Sequence, residues 1–309
     1  LMLMGEFREG ARIYEGRVKS QMDLVGRDYP QPAWNGAKFK NRTLFLHSEQ
    51  GLGDTLNFLR YVPLVKARGG RVILECQAPL LPLCAGLGAD RVIAAGETPP
   101  PFDLCRSLVS LPFVFGHDLK SLPAKVPYLV TPADRVEAWR ARLGAPQPGR
   151  LRIGLVWAGS PGHGNDRHRS VSIDSLRPIL DVPGATFFSL QKGPAADQLR
   201  QAGLSGTVHD LGASLRDFAD TAAVVELLDL VISVDTSVVH LAGALARPCW
   251  AMLPFCPDWR WLIGREDSPW YPTLRLFRQT TSGDWAGVVD RMARELAAKA
   301  AAGAVVTAG

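Results

Sequence analysis

Two short segments of the sequence carry residues that could bind a phosphate and move a proton. In LVISVDTSVVHLAGAL, residues 230–245, an apolar run ends at Asp235, and Thr236 and Ser237 open a helical pattern. The first N–H groups of a helix lack partners and carry partial positive charge, so they suit a phosphate. His240 lies one turn further along the same face. The alternative is structural, with Asp235 or Thr236 capping the helix and His240 buried in the core.

The second segment, residues 48–75, begins SEQGLGDTLNF and contains a Gly-x-Gly turn at Gly51 and Gly53. A dinucleotide-binding fingerprint would have a third glycine where Leu56 stands, and it disfavours an acid near the pyrophosphate. Asp54 at the helix start therefore favours another role, as a carboxylate base facing an acceptor hydroxyl. The alternative is that Asp54 only caps the helix.

Two further loops supply cations and hydroxyls. Lys192 follows the strand-like run ATFFSLQ, and a mobile lysine there suits a phosphate. The loop VWAGSPGHGNDRHRS, residues 156–170, has side chains that could hold a phosphoryl group or an acidic sugar. The candidates in this loop are Ser160, His163, Arg167 and Arg169.

Aromatic residues cluster among prolines in the segments PFCPDWRWL and DSPWYPTLRLFRQ. Together with Asp258 and Arg260 they could stack a base or a sugar, or they could pack the core. Both interpretations stay open from the sequence. The aromatic residues concerned are Trp259, Trp261, Trp270 and Tyr271.

The elements that must position these candidates alternate between strand and helix patterns, which predicts an α/β fold of two Rossmann-like β/α/β domains with a cleft between them. Ligands in such sheets bind at the carboxyl ends of the strands. A short helix from Gly5 to Lys19 precedes them and resembles the last helix of a tetratricopeptide repeat; packing on the domain is the alternative. The predicted boundaries are 1–30 for the N-terminal helix, 40–145 and 151–283 for the two domains, and 284–303 for a C-terminal helix.

The composition and charge of the chain argue against several classes of function. The chain has 309 residues and a net charge of +5, but its Lys and Arg residues are dispersed, so no nucleic-acid-binding stripe is predicted. An apolar run of about 18 residues, which an integral membrane helix needs, is missing, and no signal peptide is visible. Five scattered cysteines without a Cys-x-x-Cys pair disfavour zinc and favour a reducing cytoplasm. The start at Leu1 leads us to expect a piece of a longer protein.

The segments GLGD, SLQKG and SVDTSVVHLAGAL resemble the family 9 glycosyltransferases, the ADP-heptose transferases of lipopolysaccharide assembly. The longer segments EQGLGDTLNFLRY, GLVWAGSPGHGNDRHRS and LPFCPDWRWL are similar to bacterial tetratricopeptide-repeat proteins with a C-terminal glycosyltransferase-like domain. The resemblance covers about residues 1–295. It implies a GT-B fold in which the first domain binds the acceptor and the second binds a nucleotide sugar.

The resemblance also implies roles for single residues. Asp54 would be the base of an inverting transfer, and His240 stands where the family has its helix histidine. No divalent metal and no cofactor beyond the nucleotide-sugar substrate are implied, since helix N–H groups and Lys192 can stabilise a leaving diphosphate. The residues that would hold the donor are Lys192, Asp235, Thr236, Ser237 and His240, to which the loop pattern adds Ser160. The candidate phosphate or acceptor contacts are Gly51, Gly53, His163, Arg167 and Arg169.

The acceptor and two other function classes stay open. The turn Gly51-Leu52-Gly53 departs from the bulkier turn of many heptosyltransferases, so a glycan or a protein acceptor is compatible, and some repeat-bearing relatives are associated with flagellin glycosylation. An NAD-dependent oxidoreductase would use Glu75 as its ribose-binding acid, although Leu56 argues against it. A non-catalytic scaffold with a degenerate transferase domain is the third class.

Overall fold

The computed structural model describes residues 1–17 and 29–306. A first parallel sheet has four strands, β1 Thr43–His47, β2 Arg71–Cys76, β3 Arg91–Ala94 and β4 Leu104–Ser107. Their spatial order is β3-β2-β1-β4, so the chain's first strand lies in the interior of the sheet. Helices cover such sheets on both faces, which is why its strands are apolar runs rather than alternating ones.

A second parallel sheet has six strands in the order β10-β9-β8-β5-β6-β7. The α/β class and the presence of two parallel sheets are therefore confirmed, whereas the predicted domain boundaries stay predictions. The strands are β5 Leu151–Val156, β6 Ala185–Ser189, β7 Val208–Asp210, β8 Leu230–Val234, β9 Cys249–Leu253 and β10 Leu274–Arg278.

The helices of the described residues are short, apart from the last one. They are α1 Phe7–Tyr14, α2 Leu52–Phe58, α3 Val62–Lys66, α4 Leu111–Phe115, α5 Ala133–Leu143, α6 Asp166–Arg169, α7 Arg177–Leu180, α8 Gln198–Gln201, α9 Phe218–Glu226, α10 Ser237–Ala244 and α11 Trp285–Val306. Within residues 1–17 and 29–306, none of the helices is long and apolar enough to cross a membrane.

The helical pattern after the Gly-x-Gly turn predicts one helix from Asp54 to Arg68, but the structure divides it. Helix α2 ends at Phe58, a 3-10 turn covers Leu59–Tyr61, and α3 begins at Val62 with Pro63 in its first turn. Proline has no N–H to continue the helical ladder, which explains the break. The predicted end of the N-terminal helix at Lys19 lies outside the described residues.

One buried apolar cluster joins the two sheets. It contains Phe58 and Val62 from the helices that follow β1, together with Val239 and Leu241 from α10, which follows β8. A separate cluster lies under α11 on the other face of the second sheet. Helices α2 and α10 are therefore packed against each other, which brings together the loops that open them.

Candidate functional site

Helix α10 starts at the carboxyl end of β8, as the sequence predicts. Thr236 is its N-cap: the backbone is extended there, and its hydroxyl oxygen accepts the N–H of Val238 at 3.3 Å. The hydroxyl of Ser233 lies 3.0 Å from that of Thr236 and holds it in place. Thr236 rather than Asp235 thus caps the helix, and the positive end of the α10 dipole opens beside Ser237.

The first turns of α2 and α10 lie against each other. A Cβ atom added at Gly53 would be 2.9 Å from Cδ2 of His240 and 3.5 Å from Cα of Ser237, so only glycine permits this approach. The second glycine of the Gly-x-Gly turn therefore serves helix packing. It places Asp54, the next residue, beside the start of α10.

Both carboxylate oxygens of Asp54 are engaged by the protein. One accepts the N–H of Gly51 at 2.9 Å, and the other accepts a guanidinium N–H of Arg260 at 2.5 Å. Gly51 is the N-cap of α2 and Asp54 is its third residue, so Asp54 caps the helix through its side chain and not from the predicted N-cap position. The Asp54 carboxylate thus takes up the N–H of Gly51 and places a negative charge at this turn, which argues against a dinucleotide phosphate there.

Glu75, the residue that would bind the ribose of NAD, is buried. Its carboxylate accepts the hydroxyl of Ser48 at 3.1 Å. A buried carboxylate with a partner inside the protein is poorly placed to receive a ribose, which further weakens the oxidoreductase alternative.

Arg260 joins acidic residues from both halves of the chain. Besides Asp54 it binds Asp258 at 3.0 Å, and its guanidinium lies 4.4 Å from the ring centroid of Trp259 and 5.1 Å from that of Phe58. Burial disfavours the charge, but Asp258 and Asp54 outweigh burial and hold the pKa of Arg260 above its usual value. Sequence reasoning placed Arg260 only in an aromatic cluster and missed its contact with Asp54.

Asp235 has the most perturbed carboxyl group at this site. Burial and the negative charge of Asp258 raise its pKa to about 7, although Arg169 and Arg260 partly oppose that rise. Arg169 also donates to the backbone carbonyl of Asp235 at 2.9 Å. A carboxyl with a pKa near neutrality can hold or release a proton under ordinary conditions.

His240 is a buried residue in the wall of the site. Its Nδ1 lies 3.0 Å from the hydroxyl of Tyr271, and its ring stacks on Trp261 with centroids 5.2 Å apart. Burial, with the positive charges of Arg260 and Arg60, lowers the pKa of His240 well below its usual value, so the ring is neutral. The packing supports the structural role that the sequence left open.

A buried polar junction fixes α2 against the second sheet. Asn57 donates to the hydroxyl of Tyr271 at 2.8 Å, and Arg60 donates to the carbonyl of Trp270 at 2.8 Å. The Arg60 guanidinium also lies 4.7 Å from the ring centroid of Tyr128. Trp261, Trp270 and Tyr271 are fully buried, so the core-packing interpretation applies to these three.

Gln191 ties two loops of the second sheet together. Its side-chain oxygen accepts the N–H groups of Trp157 and Ala158 at 3.0 and 2.9 Å, and its side-chain nitrogen donates to the carbonyl of Lys192 at 2.9 Å. Sequence reasoning missed this residue, although a glutamine directly after a buried strand is a visible signal. Gln191 thereby fixes the backbone from which the Lys192 side chain projects.

Lys192 lies in an exposed position after β6. Its ammonium group donates to the carbonyl oxygens of Gly212 and Leu215 at 3.1 and 2.5 Å. Carbonyl oxygens are neutral acceptors, so an anionic ligand would compete well for this ammonium group.

The loop after β5 contributes unequally to the site. Arg169 reaches Asp235, and a Cβ at Gly159 would collide with its guanidinium, so that glycine leaves room for it. The structure does not bring the other candidates of this loop into contact with Asp235 or Asp54: Ser160, His163 and Arg167 are exposed on its outer part.

Solved glycosyltransferases share this architecture. The Escherichia coli ADP-heptose lipopolysaccharide heptosyltransferase II matches with a TM-score of 0.57 and 14% identity, over 84% of this chain and 99% of its own. A family 9 glycosyltransferase from Veillonella parvula matches with a TM-score of 0.61 and 9% identity, over 88% of this chain and 99% of its own. The chain has the fold of the family 9 glycosyltransferases. The likeness concerns the fold, since the sequence identities are low.

Another protein with the family 9 fold is TibC from enterotoxigenic Escherichia coli, with a TM-score of 0.53 and 11% identity over 88% of this chain and 78% of its own. TibC is described as iron-containing. Among residues 1–17 and 29–306 of this chain, no group of three or more His, Cys, Asp or Glu side chains is arranged to hold a metal ion. The residues described here therefore do not fit an iron site.

Sequence comparison gives one curated relative, Protein FlbA of Caulobacter vibrioides, at 27% identity over 325 residues. The match covers 96% of this chain and 53% of FlbA, so the chain spans about half the length of that relative. No protein-family model matches the chain. The association with tetratricopeptide repeats stays a prediction.

Proposed function

We propose that the chain is a metal-independent, inverting glycosyltransferase that moves a hexosyl or heptosyl group from a nucleotide sugar to a hydroxyl. The acceptor is a glycan or a protein, flagellin included. One observation carries the proposal: Gly53 lies against Ser237 and His240 in the first turns of α10, and Asp54 is the next residue. A proton acceptor and a phosphate-binding helix terminus then face the same space.

The donor diphosphate binds at the start of α10 in this proposal. The helix dipole and the hydroxyl of Ser237 supply hydrogen-bond donors and positive potential. Lys192 exchanges its carbonyl partners for the diphosphate, while Arg169 holds the Asp235 backbone beside it. With these groups neutralising the leaving diphosphate, the reaction needs no divalent metal.

The chemical step is a direct displacement. The acceptor oxygen attacks the anomeric carbon from the face opposite the diphosphate, and Asp54 takes the hydroxyl proton as the new C–O bond forms. The old C–O bond breaks, and its electron pair leaves on the diphosphate oxygen, so the anomeric configuration inverts. Arg260 orients the Asp54 carboxylate for this transfer.

The same proposal gives the two halves of the chain their roles in a GT-B arrangement, with residues 40–145 facing the acceptor and residues 151–283 holding the donor. It also places the protein in the cytoplasm, where nucleotide sugars are made and thiols stay reduced. All five cysteines are free, and Cys76, Cys84 and Cys249 are buried, which supports a reducing compartment.

A ligand screen followed by product analysis tests the proposal. Thermal shifts with ADP, GDP, UDP, their common sugars and NAD should show stabilisation by a nucleoside diphosphate or its sugar, because ligands that bind the folded state raise its melting temperature. NMR of the product of the bound nucleotide sugar should then show an inverted anomeric centre. Stabilisation by NAD alone, or the absence of turnover with every sugar bound, would rule the proposal out.

A further inference from the structure

We infer that the N-terminal segment, residues 1–17, forms one wall of the site, and that its buried Arg17 positions the loop that carries Asp54. The inference rests on the proposed transfer reaction and adds a positioning element to it. That element contacts the loop on the Asp54 side and the loop on the Arg260 side. The contacts that carry it come from Arg17, Tyr14 and Phe7.

Arg17 forms a two-pronged ion pair with Glu49. Its Nε and Nη2 donate to the two carboxylate oxygens at 2.7 and 2.9 Å, and the two side chains are only 7% and 3% exposed. Although burial favours the neutral acid, Arg17 and Ser107 hold the pKa of Glu49 below its usual value. Glu49 stands two residues before Gly51, the N-cap of α2. The ion pair therefore fixes the entry to the Asp54 helix from the N-terminal segment.

The residue between them, Gln50, has an unfavourable backbone conformation. Its φ angle of 67° lies in the left-handed region, which costs a residue other than glycine about 1–2 kcal/mol. Its side chain donates to the hydroxyl of Tyr14 at 2.8 Å, next to the Arg17 ion pair. A strained backbone conformation is kept only where the surrounding contacts hold it in place. At Gln50, the N-terminal segment supplies part of those contacts.

The same segment holds the loop that carries Arg260. The ring of Trp259 lies 5.7 Å from that of Phe7 and 6.4 Å from that of Tyr14, centroid to centroid. The Trp259 ring also lies 6.0 Å from that of Trp270, centroid to centroid, and its centroid is 4.4 Å from the guanidinium of Arg260. Displacing the segment would therefore disturb both partners of the Asp54–Arg260 ion pair, and with them the direction of the base.

The test compares Arg17→Met with Arg12→Met. Arg12 lies in the same N-terminal segment, within α1, but it is exposed and pairs with Glu9 at 2.6 Å. Turnover is measured with the nucleotide sugar that binds in the screen. Calorimetry gives the affinities for ADP, GDP and UDP. The pH profile of kcat is recorded at temperatures below unfolding. A fluorotryptophan label reports the Trp259 loop by ¹⁹F NMR, assigned with Trp259→Phe.

We expect Arg17→Met to lower kcat by about tenfold or more, with the pH profile displaced, because the base loses its orientation. Diphosphate affinity should change by less than about threefold, since that site lies on α10. The Trp259 resonance should shift. Arg12→Met should leave every readout unchanged. Tyr14→Phe, which keeps the ring, should lower kcat in the same direction and carries the test alone where Arg17→Met does not fold.

A folded Arg17→Met protein with unchanged kcat, pH profile and Trp259 resonance would overturn the inference. A lower melting temperature alone would also overturn it, because the segment would then only stabilise the fold. A wild-type protein that transfers no sugar would instead refute the proposed reaction. In that case the Trp259 resonance still shows whether Arg17 positions the loop that carries Trp259 and Arg260. A resonance at the same position in Arg17→Met and wild type counts against the inference.

Discussion

Arg260, in the loop after β9, donates a 2.5 Å hydrogen bond to Asp54, in the helix after β1. The two residues are 206 positions apart in sequence and belong to the two different sheet units. Their contact fixes the direction of the Asp54 carboxylate, and the proposed chemistry depends on that direction.

Replacing Arg260 by Met should impair both stability and turnover. Losing the buried Arg260 should lower the free energy of unfolding by about 2–3 kcal/mol. This value is at or below the range for breaking a fully buried ion pair, because Asp54 is partly exposed. The kcat should fall by about tenfold or more, because the carboxylate is no longer oriented. Urea denaturation and steady-state kinetics measure the two effects.

The matched control is Arg265→Met, in the same segment. Arg265 pairs with exposed Asp267 and should contribute less than about 1 kcal/mol. Equal losses in both variants would show that the Asp54–Arg260 pair has no special role.

Replacing Gly53 by Ala should destabilise the protein by about 1–3 kcal/mol, because the added methyl group meets His240, which is held between Trp261 and Tyr271. Gly86→Ala is the control, since a Cβ there has nothing within 4 Å. Thermal unfolding of the two variants checks the prediction. A Gly53 variant as stable as the Gly86 variant would mean that α2 and α10 are not in close contact.

Asp235 should make stability depend on pH. Its folded-state pKa of about 7 lies above the unfolded value of about 3.9, so the folded state favours the proton. Its contribution to stability is complete below about pH 4 and is lost as the pH rises towards about 7. The stability of wild type relative to Asp235→Asn should therefore fall over that interval in unfolding experiments at several pH values. A difference that stays constant with pH would contradict the raised pKa.

Lys192→Met should weaken donor binding and leave the free protein intact. A charge-assisted hydrogen bond of about 1.5–3 kcal/mol corresponds to about 10–100-fold in affinity for the diphosphate. Stability should hardly change because Lys192 is exposed. Calorimetry with the bound nucleoside diphosphate measures the loss, with exposed Lys120→Met as control. Similar affinities in the two variants would remove Lys192 from the donor site.

The regular part of the fold follows from local patterns. Apolar runs such as Leu151–Val156 and Leu230–Val234 predict buried parallel strands, and the capping preference of threonine locates the start of α10. The single helix predicted from Asp54 to Arg68 was wrong, because Pro63 interrupts the helical ladder.

The contacts that assemble the site could not be predicted from the sequence. The contact between Asp54 and Arg260 joins residues 206 positions apart in sequence. The contact between Arg17 and Glu49 joins residues 32 positions apart. Composition and periodicity carry no information about such pairs, because each depends on how α1, α2 and α10 pack. The same holds for Gly53, whose Gly-x-Gly pattern is typical of phosphate loops and here permits a helix contact.

Asp54→Asn, assayed for turnover and for nucleoside diphosphate affinity in the same preparation, tests the central claim most directly. The amide keeps the size of the side chain but cannot take a proton, so kcat should fall by about a hundredfold or more while the Kd changes by less than about threefold. Unchanged turnover, or a loss of affinity as large as the loss of turnover, would contradict the claim that Asp54 is the base facing a donor held on α10.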